Sequence, residues 1–327
     1  MLPVTPLRVG LAGCGRAAAE LHLPALARVE GVEAVAVMDV DRARARRVAE
    51  RFGIARVHDD VEALAADVDL VAVCTPPAAH ADAALLALAA GRHVLVEKPL
   101  TVDLAEADAL VEAAEGKVAA VGFNLRVHRQ MVAAREALDA GRLGRLLLVR
   151  SHWAAGSRGS GWRGGAGGSA LWDMGIHHLD LWRLLGGGEP RDLRASGDAA
   201  TLALSARTDD GVVLATTLAT GTADAHEVEL VGERGRMSLT LYRGDGPRFA
   251  GERLARRALD AAADLPRRAR AARGGGDYLL SYAAQWEAIR DAVRGGGSPP
   301  ATFDDGRAAV ALAVEAEDAL AREGAPA

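Results

Sequence analysis

The chain has 327 residues, half of them apolar, which is more than one ordinary core requires, so two domains are expected. A net charge of −5 and a pI near 6.0 leave no basic footprint for nucleic acid, which is excluded as an expected partner. No apolar run of about 18 residues escapes interruption by charge, and the N-terminus enters a strand without a basic leader region or cleavage site; no membrane span is expected, and the chain is placed in the cytoplasm.

In chain order, short apolar runs at 7–12, 33–38, 69–74, 93–96 and 118–122 predict five strands. Ala-rich segments with helical spacing separate them at 16–29, 41–52, 79–90 and 103–115. Strand alternating with helix implies a parallel sheet with right-handed crossovers over residues 1–124. Cys14 and Cys74 each end a strand and are read as reduced core thiols.

Past Asn124 the rhythm changes, and residues 125–327 are expected to form a second, α+β domain. A helix at 127–140, a strand at 145–153, a Gly-rich loop at 156–168 and a helix at 170–185 lead into strand-like runs over 192–242, read as an antiparallel meander. Residues 248–273 hold eight Arg against three acidic residues; with no aromatic interleaved after Phe249, this is read as a solvated helical excursion. Helices at 278–294 and 304–322 close the chain, the second expected to be capped by Asp304 or Asp305.

Gly13, Gly15 and Ala18 spell G-x-G-x-x-A between the first strand and its helix, with Arg16 and Ala17 inside the turn. Gly13 permits the tight turn, Gly15 lets backbone approach a pyrophosphate, and Ala18 lets helix pack on strand. Asp39, at the end of the second strand, can accept hydrogen bonds from ribose hydroxyls and would repel a 2′-phosphate, which points to NAD. Arg42 and Arg44 keep NADP as the lesser alternative, and helix capping is the bland role for Asp39, one that Asp41 fills equally well.

The fourth strand runs into Glu97-Lys98-Pro99, at the carboxyl edge where open α/β sheets bind ligands. Of the 39 basic residues only Lys98 and Lys117 are lysine, and Asn124 is the only asparagine. Arg supplies charge but does not readily release a proton, so a surviving lysine is informative. Thr75-Pro76-Pro77 and His80 occupy the neighbouring strand end, His80 being read as structural or cofactor-adjacent. In the second domain Asp173 and His177 stand four apart, on one helical face, where a carboxylate can fix an imidazole as general base. A helix-face hydrogen bond is the plain alternative. A metal site from Asp173, His177 and His178 is set aside, because adjacent helical residues diverge by about 100°.

These residues, with Gly122-Phe123-Asn124, Arg126, the Asp173-x-Gly175-x-His177-His178 run and the late Gly232-x-x-Gly235 turn, resemble the glucose-fructose oxidoreductase and inositol dehydrogenase family over nearly the whole chain. The resemblance implies a Rossmann doubly wound parallel sheet, then an α+β domain whose mostly antiparallel open sheet forms homodimers or homotetramers. It further implies a site between the domains under the nicotinamide and hydride transfer to or from a secondary alcohol of a sugar or cyclitol. By position, Lys98 meets the substrate hydroxyl, His177 is the base, Asp173 orients either partner, and Gly13, Gly15, Arg16, Ala17, Ala18, Asp39, Thr75, Pro76, His80, Glu97, Lys98 and Asn124 line the cofactor. Asn124 and Arg126 are also candidate substrate contacts, as are Trp162 and Arg163 on a loop able to close as a lid. Relatives that hydrolyse glycosides through transient oxidation, relatives that reduce keto-sugars, and non-catalytic sensors supply the alternatives; a degenerate sensor would be expected to lose at least one of Lys98, Asp173 and His177.

Overall fold

A computed structural model describes residues 5–156, 169–241, 248–250 and 276–323, with scattered positions between 262 and 269. Trp162 and Arg163, and most of the Arg-rich 248–273 stretch, lie outside the described residues. The chain divides into two compact units, Met1–Asn124 with Ser281–Val310, and Leu125–Leu280 with Ala311–Ala327.

Unit 1 is built on a six-stranded parallel sheet: β1 (Leu7–Ala12), β2 (Val32–Met38), β3 (Arg56–His58), β4 (Leu70–Val73), β5 (His93–Val96) and β6 (Ala119–Val121). The spatial order β3-β2-β1-β4-β5-β6 reverses direction between β1 and β4. Strands such as Leu70–Val73 are buried at every position, as a sheet covered on both faces requires. The edge strand β3 was not expected; three residues pairing only with β2 give too short a run to show a period. Helix Arg42–Phe52 is capped by Asp41, whose Oδ1 accepts the Arg44 amide at 3.0 Å, and so Asp39 is left for other work.

Residues 281–310, expected in the second domain, belong to unit 1. Tyr282 and Trp286 pack edge-on against His22, with centroids 5.1 and 5.7 Å away, and Gln285 Nε2 donates to the Val121 carbonyl. Val121 also donates to the Ala301 carbonyl at 3.1 Å, which covers the β6 edge. The cap of helix Phe303–Glu323 is Thr302, not Asp304 or Asp305. Thr302 Oγ1 accepts the Asp305 amide while Asp305 Oδ2 accepts the Thr302 amide, a reciprocal capping box.

Unit 2 carries a seven-stranded sheet of β7 (Leu146–Ala155), β8 (Pro190–Gly197), β9 (Thr201–Thr208), β10 (Val213–Thr220), β11 (Ala225–Gly232), β12 (Gly235–Thr240) and β13 (Arg248–Ala250), ordered β13-β12-β11-β7-β10-β9-β8. The expected meander is interrupted, because β7 lies between β10 and β11 and runs parallel to β10. Strict alternation along β9 buries Leu202, Leu204, Ala206 and Thr208 and leaves the other face exposed. The buried face meets helix Ile176–Gly186, whose Trp182 is fully buried.

Candidate functional site

At the reversal point in unit 1, the turn after β1 faces the end of β4. Gly13 has φ +94°, and a Cβ there would lie 2.6 Å from the Cys74 carbonyl carbon and oxygen, so only glycine fits. A Cβ on Gly15 would meet nothing within 4 Å, leaving open space beside the turn. The helix that follows opens on one wide turn, Ala17–His22, in which the Leu23 amide reaches the Ala18 carbonyl. Ala19 donates to the Gly15 carbonyl, so the amides ahead of it precede the intrahelical ladder. Arg16 instead points outward, in an exposed pair with Glu20 at 2.9 Å.

Asp39 is buried and braces this turn. Its Oδ2 accepts the Cys14 amide at 2.8 Å, and its Oδ1 accepts the Asp41 amide and Arg44 Nη2. Cys14 and Cys74 are both free and buried; burial first, then Asp39 and Cys74, push the Cys14 thiol up to about 12.

The strand ends β4 and β5 are stitched by His80, whose Nδ1 lies 2.7 Å from the Pro99 carbonyl and Nε2 2.9 Å from that of Thr75. Burial holds its pKa below the usual histidine value, so the neutral ring donates to one carbonyl at a time. Thr75 Oγ1 is buried with no hydrogen-bond partner among the described residues. Lys98 is half-buried at the end of β5, beside buried Glu97. Burial acts to raise the Glu97 carboxyl, but the His22 hydrogen bond and the neighbouring Lys98 charge bring it below the usual range.

The residues fit a dinucleotide: open space beside Gly15, first-turn amides, an acidic residue at the β2 end and the unsatisfied Thr75 hydroxyl are what pyrophosphate, ribose and nicotinamide require. When bound, the dinucleotide supplies a hydride acceptor or donor. Asn124, expected near it, is fully buried, and its Nδ2 donates to Ser281 Oγ at 2.7 Å while Oδ1 has no hydrogen-bond partner among the described residues.

In unit 2, Asp173 lies in a second wide turn, Leu171–Gly175, in which the Ile176 amide reaches the Leu171 carbonyl. Such turns are frequent at functional sites. Asp173 is half-buried and His177 is 2% exposed. The helix is pinned by Trp172 Nε1 on Glu317 and by His178 Nδ1, 2.8 Å from Ser151 Oγ, which meets Thr216 Oγ1 at 2.8 Å. Arg126, expected to touch substrate, forms a fork on buried Asp180, Nε to Oδ2 at 2.9 Å and Nη2 to Oδ1 at 2.6 Å.

Sequence reasoning missed His22, Tyr282 and Trp286. His22 lies four residues after Ala18, on the buried side of the glycine-turn helix, and that spacing was the available signal. Trp286, 264 residues away, gave none.

Known proteins supply an independent comparison. Residues 7–124 match the family described as "Oxidoreductase family, NAD-binding Rossmann fold", and 131–238 match "GFO/IDH/MocA C-terminal domain". A dTDP-3,4-didehydro-2,6-dideoxy-alpha-D-glucose 3-reductase of Streptomyces violaceoruber is 37% identical over 194 residues, 58% of this chain and 57% of that protein. An inositol 2-dehydrogenase of Rhizobium meliloti strain 1021 is 34% identical over 193 residues, 58% of each chain. These matches therefore span less than three fifths of the relatives' length. An oxidoreductase domain protein from Kribbella flavida superposes with a TM-score of 0.84 at 25% identity, covering 98% of both chains. Levoglucosan dehydrogenase in complex with NADH and levoglucosan shares the fold, with a TM-score of 0.85 at 22% identity and 98% coverage of both. The two family matches are the successive domains of one architecture and together span more than half of the chain, which belongs to the GFO/IDH/MocA oxidoreductase family, with an NAD-binding Rossmann domain at residues 7–124.

Proposed function

We propose that this protein is an NAD-dependent dehydrogenase that exchanges a hydride with a secondary alcohol or ketone on the ring of a sugar, sugar derivative or cyclitol. The observation that carries the reading is Lys98, a half-buried lysine at the carboxyl end of a central strand, beside a buried, ionised Glu97 and next to the loop holding the unsatisfied Thr75 hydroxyl. Removal of a hydride from an alcohol carbon leaves charge developing on oxygen, and an ammonium aimed at that oxygen stabilises it. In this reading Lys98 orients the hydroxyl, His177 takes its proton and Asp173 fixes the imidazole or the substrate. Gly13, Gly15, Arg16, Ala17 and Ala18 present backbone to the pyrophosphate, Asp39 takes the ribose hydroxyls, and Thr75, Pro76, His80, Glu97 and Asn124 form or brace the nicotinamide end. The relatives' names support a ring hydroxyl as the reacting group, since one is a sugar 3-reductase and another an inositol 2-dehydrogenase.

The same reductase supports a second reading, in which the chain works in the direction of keto-sugar reduction. A panel of inositols, aldoses, sugar acids and keto-sugars, assayed with NAD and NADP in both directions, tests both. Cofactor turnover in proportion to product supports the proposal; aryl-glycoside hydrolysis without NADH accumulation, or dinucleotide binding with no turnover across the panel, sinks it. We further place the protein in the cytoplasm as a homodimer or homotetramer. The exposed face of the unit 2 sheet, where Glu229 pairs with Arg150 and Arg236, offers the surface for association. Among the described residues no helix is long and apolar enough to cross a membrane.

A further inference from the structure

Glu97 is gripped from three sides within unit 1. Its Oε1 lies 2.8 Å from His22 Nε2, and its Oε2 accepts the Lys98 amide at 3.1 Å. A Cβ on Gly122 would stand 3.0 Å from Oε1 and 3.1 Å from the Glu97 Cα, so the neighbouring strand end is a glycine that leaves the carboxylate its room. Behind His22, Trp286 Nε1 donates to Nδ1 at 3.2 Å. An indole N–H is a donor only, so Nδ1 must be the unprotonated nitrogen and Nε2 the one that donates to Glu97.

The surroundings pull the other way. Burial lowers the His22 pKa, but Cys74 and Glu97 outweigh it and lift the balance to about 10. A second proton on Nδ1 would set donor against donor across the contact with Trp286. The groups facing the pair are Cys74 at the β4 end, Tyr282 and Trp286 on the returning helix, and Lys98 and His80 beside Glu97. His22 also ends the wide turn that begins at the glycine loop, so the pyrophosphate turn and the Lys98 strand end are braced by one side chain.

We propose that Trp286 and His22 are positioning residues for Lys98: the indole fixes the imidazole tautomer, the imidazole fixes Glu97, and Glu97 fixes the backbone of Lys98. The proposal rests on the reading of Lys98 as the residue that meets the substrate hydroxyl. A simple staple between the helix at 281–295 and the sheet would hold stability but leave Lys98 unaffected.

Because Lys98 and Lys117 are the only lysines, protein labelled with ¹⁵N-lysine gives two backbone amide signals, which Lys117→Arg assigns. In Trp286→Phe, which keeps an aromatic ring in place of the indole and loses the N–H, and in His22→Leu, the Lys98 signal is expected to move while that of Lys117 stays. His22→Gln, which restores a donor to Glu97, returns it part of the way. Long-range ¹H–¹⁵N spectra of labelled histidine should show His22 as the neutral Nε2–H tautomer at pH 7 in the wild type and as imidazolium in Trp286→Phe. With the best substrate of the panel, kcat of folded Trp286→Phe falls on the order of tenfold while KM for NAD holds, as expected for a small misplacement of a reacting group. A stationary Lys98 signal in both folded variants overturns the proposal, as does a moved signal with unchanged kcat. Lys98→Met is run in parallel: full turnover there removes the reading of Lys98 itself and the relay with it, whereas an inactive Lys98→Met with a silent Trp286→Phe removes the relay alone.

Discussion

Arg44 leans on Asp39, its Nη2 donating to Oδ1 at 3.0 Å while the other carboxylate oxygen holds the Cys14 amide at 2.8 Å. The guanidinium is 43% exposed and can leave, whereas the carboxylate, at 6%, cannot. Asp39→Asn is therefore expected to cost NAD about 10- to 100-fold in affinity, the worth of hydrogen bonds to a charged group, and to narrow its preference over NADP. Arg44→Ala should leave NAD binding intact and weaken NADP. Calorimetric titration with both dinucleotides checks this; an unchanged NAD to NADP ratio in Asp39→Asn would remove Asp39 from cofactor choice.

The two glycines of the turn separate folding from binding. Gly13→Ala combines a φ of +94° with a Cβ driven 2.6 Å from the Cys74 backbone, and is expected to lose about 3 kcal/mol or more of stability. Gly15→Ala meets open space, so its melting temperature should stay put while NAD affinity drops, since the methyl occupies the volume meant for pyrophosphate. Denaturant melts beside NAD titrations distinguish the two; a destabilised Gly15→Ala contradicts the assignment.

Lys98→Met should keep NAD binding nearly intact and abolish turnover. His177→Asn and Asp173→Asn should slow turnover by roughly 10²- to 10⁴-fold, the usual worth of a positioned acid–base group, with KM for NAD little changed. Single-turnover assays decide, and retained chemistry in Lys98→Met removes it from the mechanism.

Unit 2 buries a group of histidines that burial keeps neutral: His128 falls to about 4, His178 to about 3, and His226 well below its usual value, with His178, His177, His128 and His152 adding to the effect. Below the unfolded value of about 6.5 the unfolded chain takes up protons that the folded one refuses, so stability present near neutrality is lost as pH falls toward 4. Each such group contributes about 1.4 kcal/mol per pH unit across that window. Melting temperatures are expected to be flat between pH 8 and 7 and to fall steeply from 6.5 to 5, with a shallower fall in His178→Asn. Equal slopes in the two proteins would show that His178 is not among the groups responsible.

Arg126 and Asp180 form a buried fork, so Asp180→Ala removes a bidentate carboxylate from a largely buried cation and should cost about 3–5 kcal/mol. The paired replacement Arg126→Met with Asp180→Leu should recover most of it. Chemical denaturation of the three variants tests the structural role; a stable but inactive paired variant would return Arg126 to the substrate contacts.

The sequence by itself determined whatever repeats within a few residues. The period of apolar runs predicted the parallel sheet of unit 1, the glycine turn located the β1 end, and Asp39 and Lys98 stood out because their strands end there. Even the burial of Cys14 and Cys74 was legible from their strand-end setting. Only the tertiary structure decided what depends on distant segments: that residues 281–310 return to unit 1, that β7 inserts between β10 and β11, that Arg126 forks onto Asp180, and that Trp286 meets His22 across 264 residues. The physical reason is that a backbone period is set by neighbours in the chain, whereas a buried polar group takes whichever partner folding brings within hydrogen-bond reach.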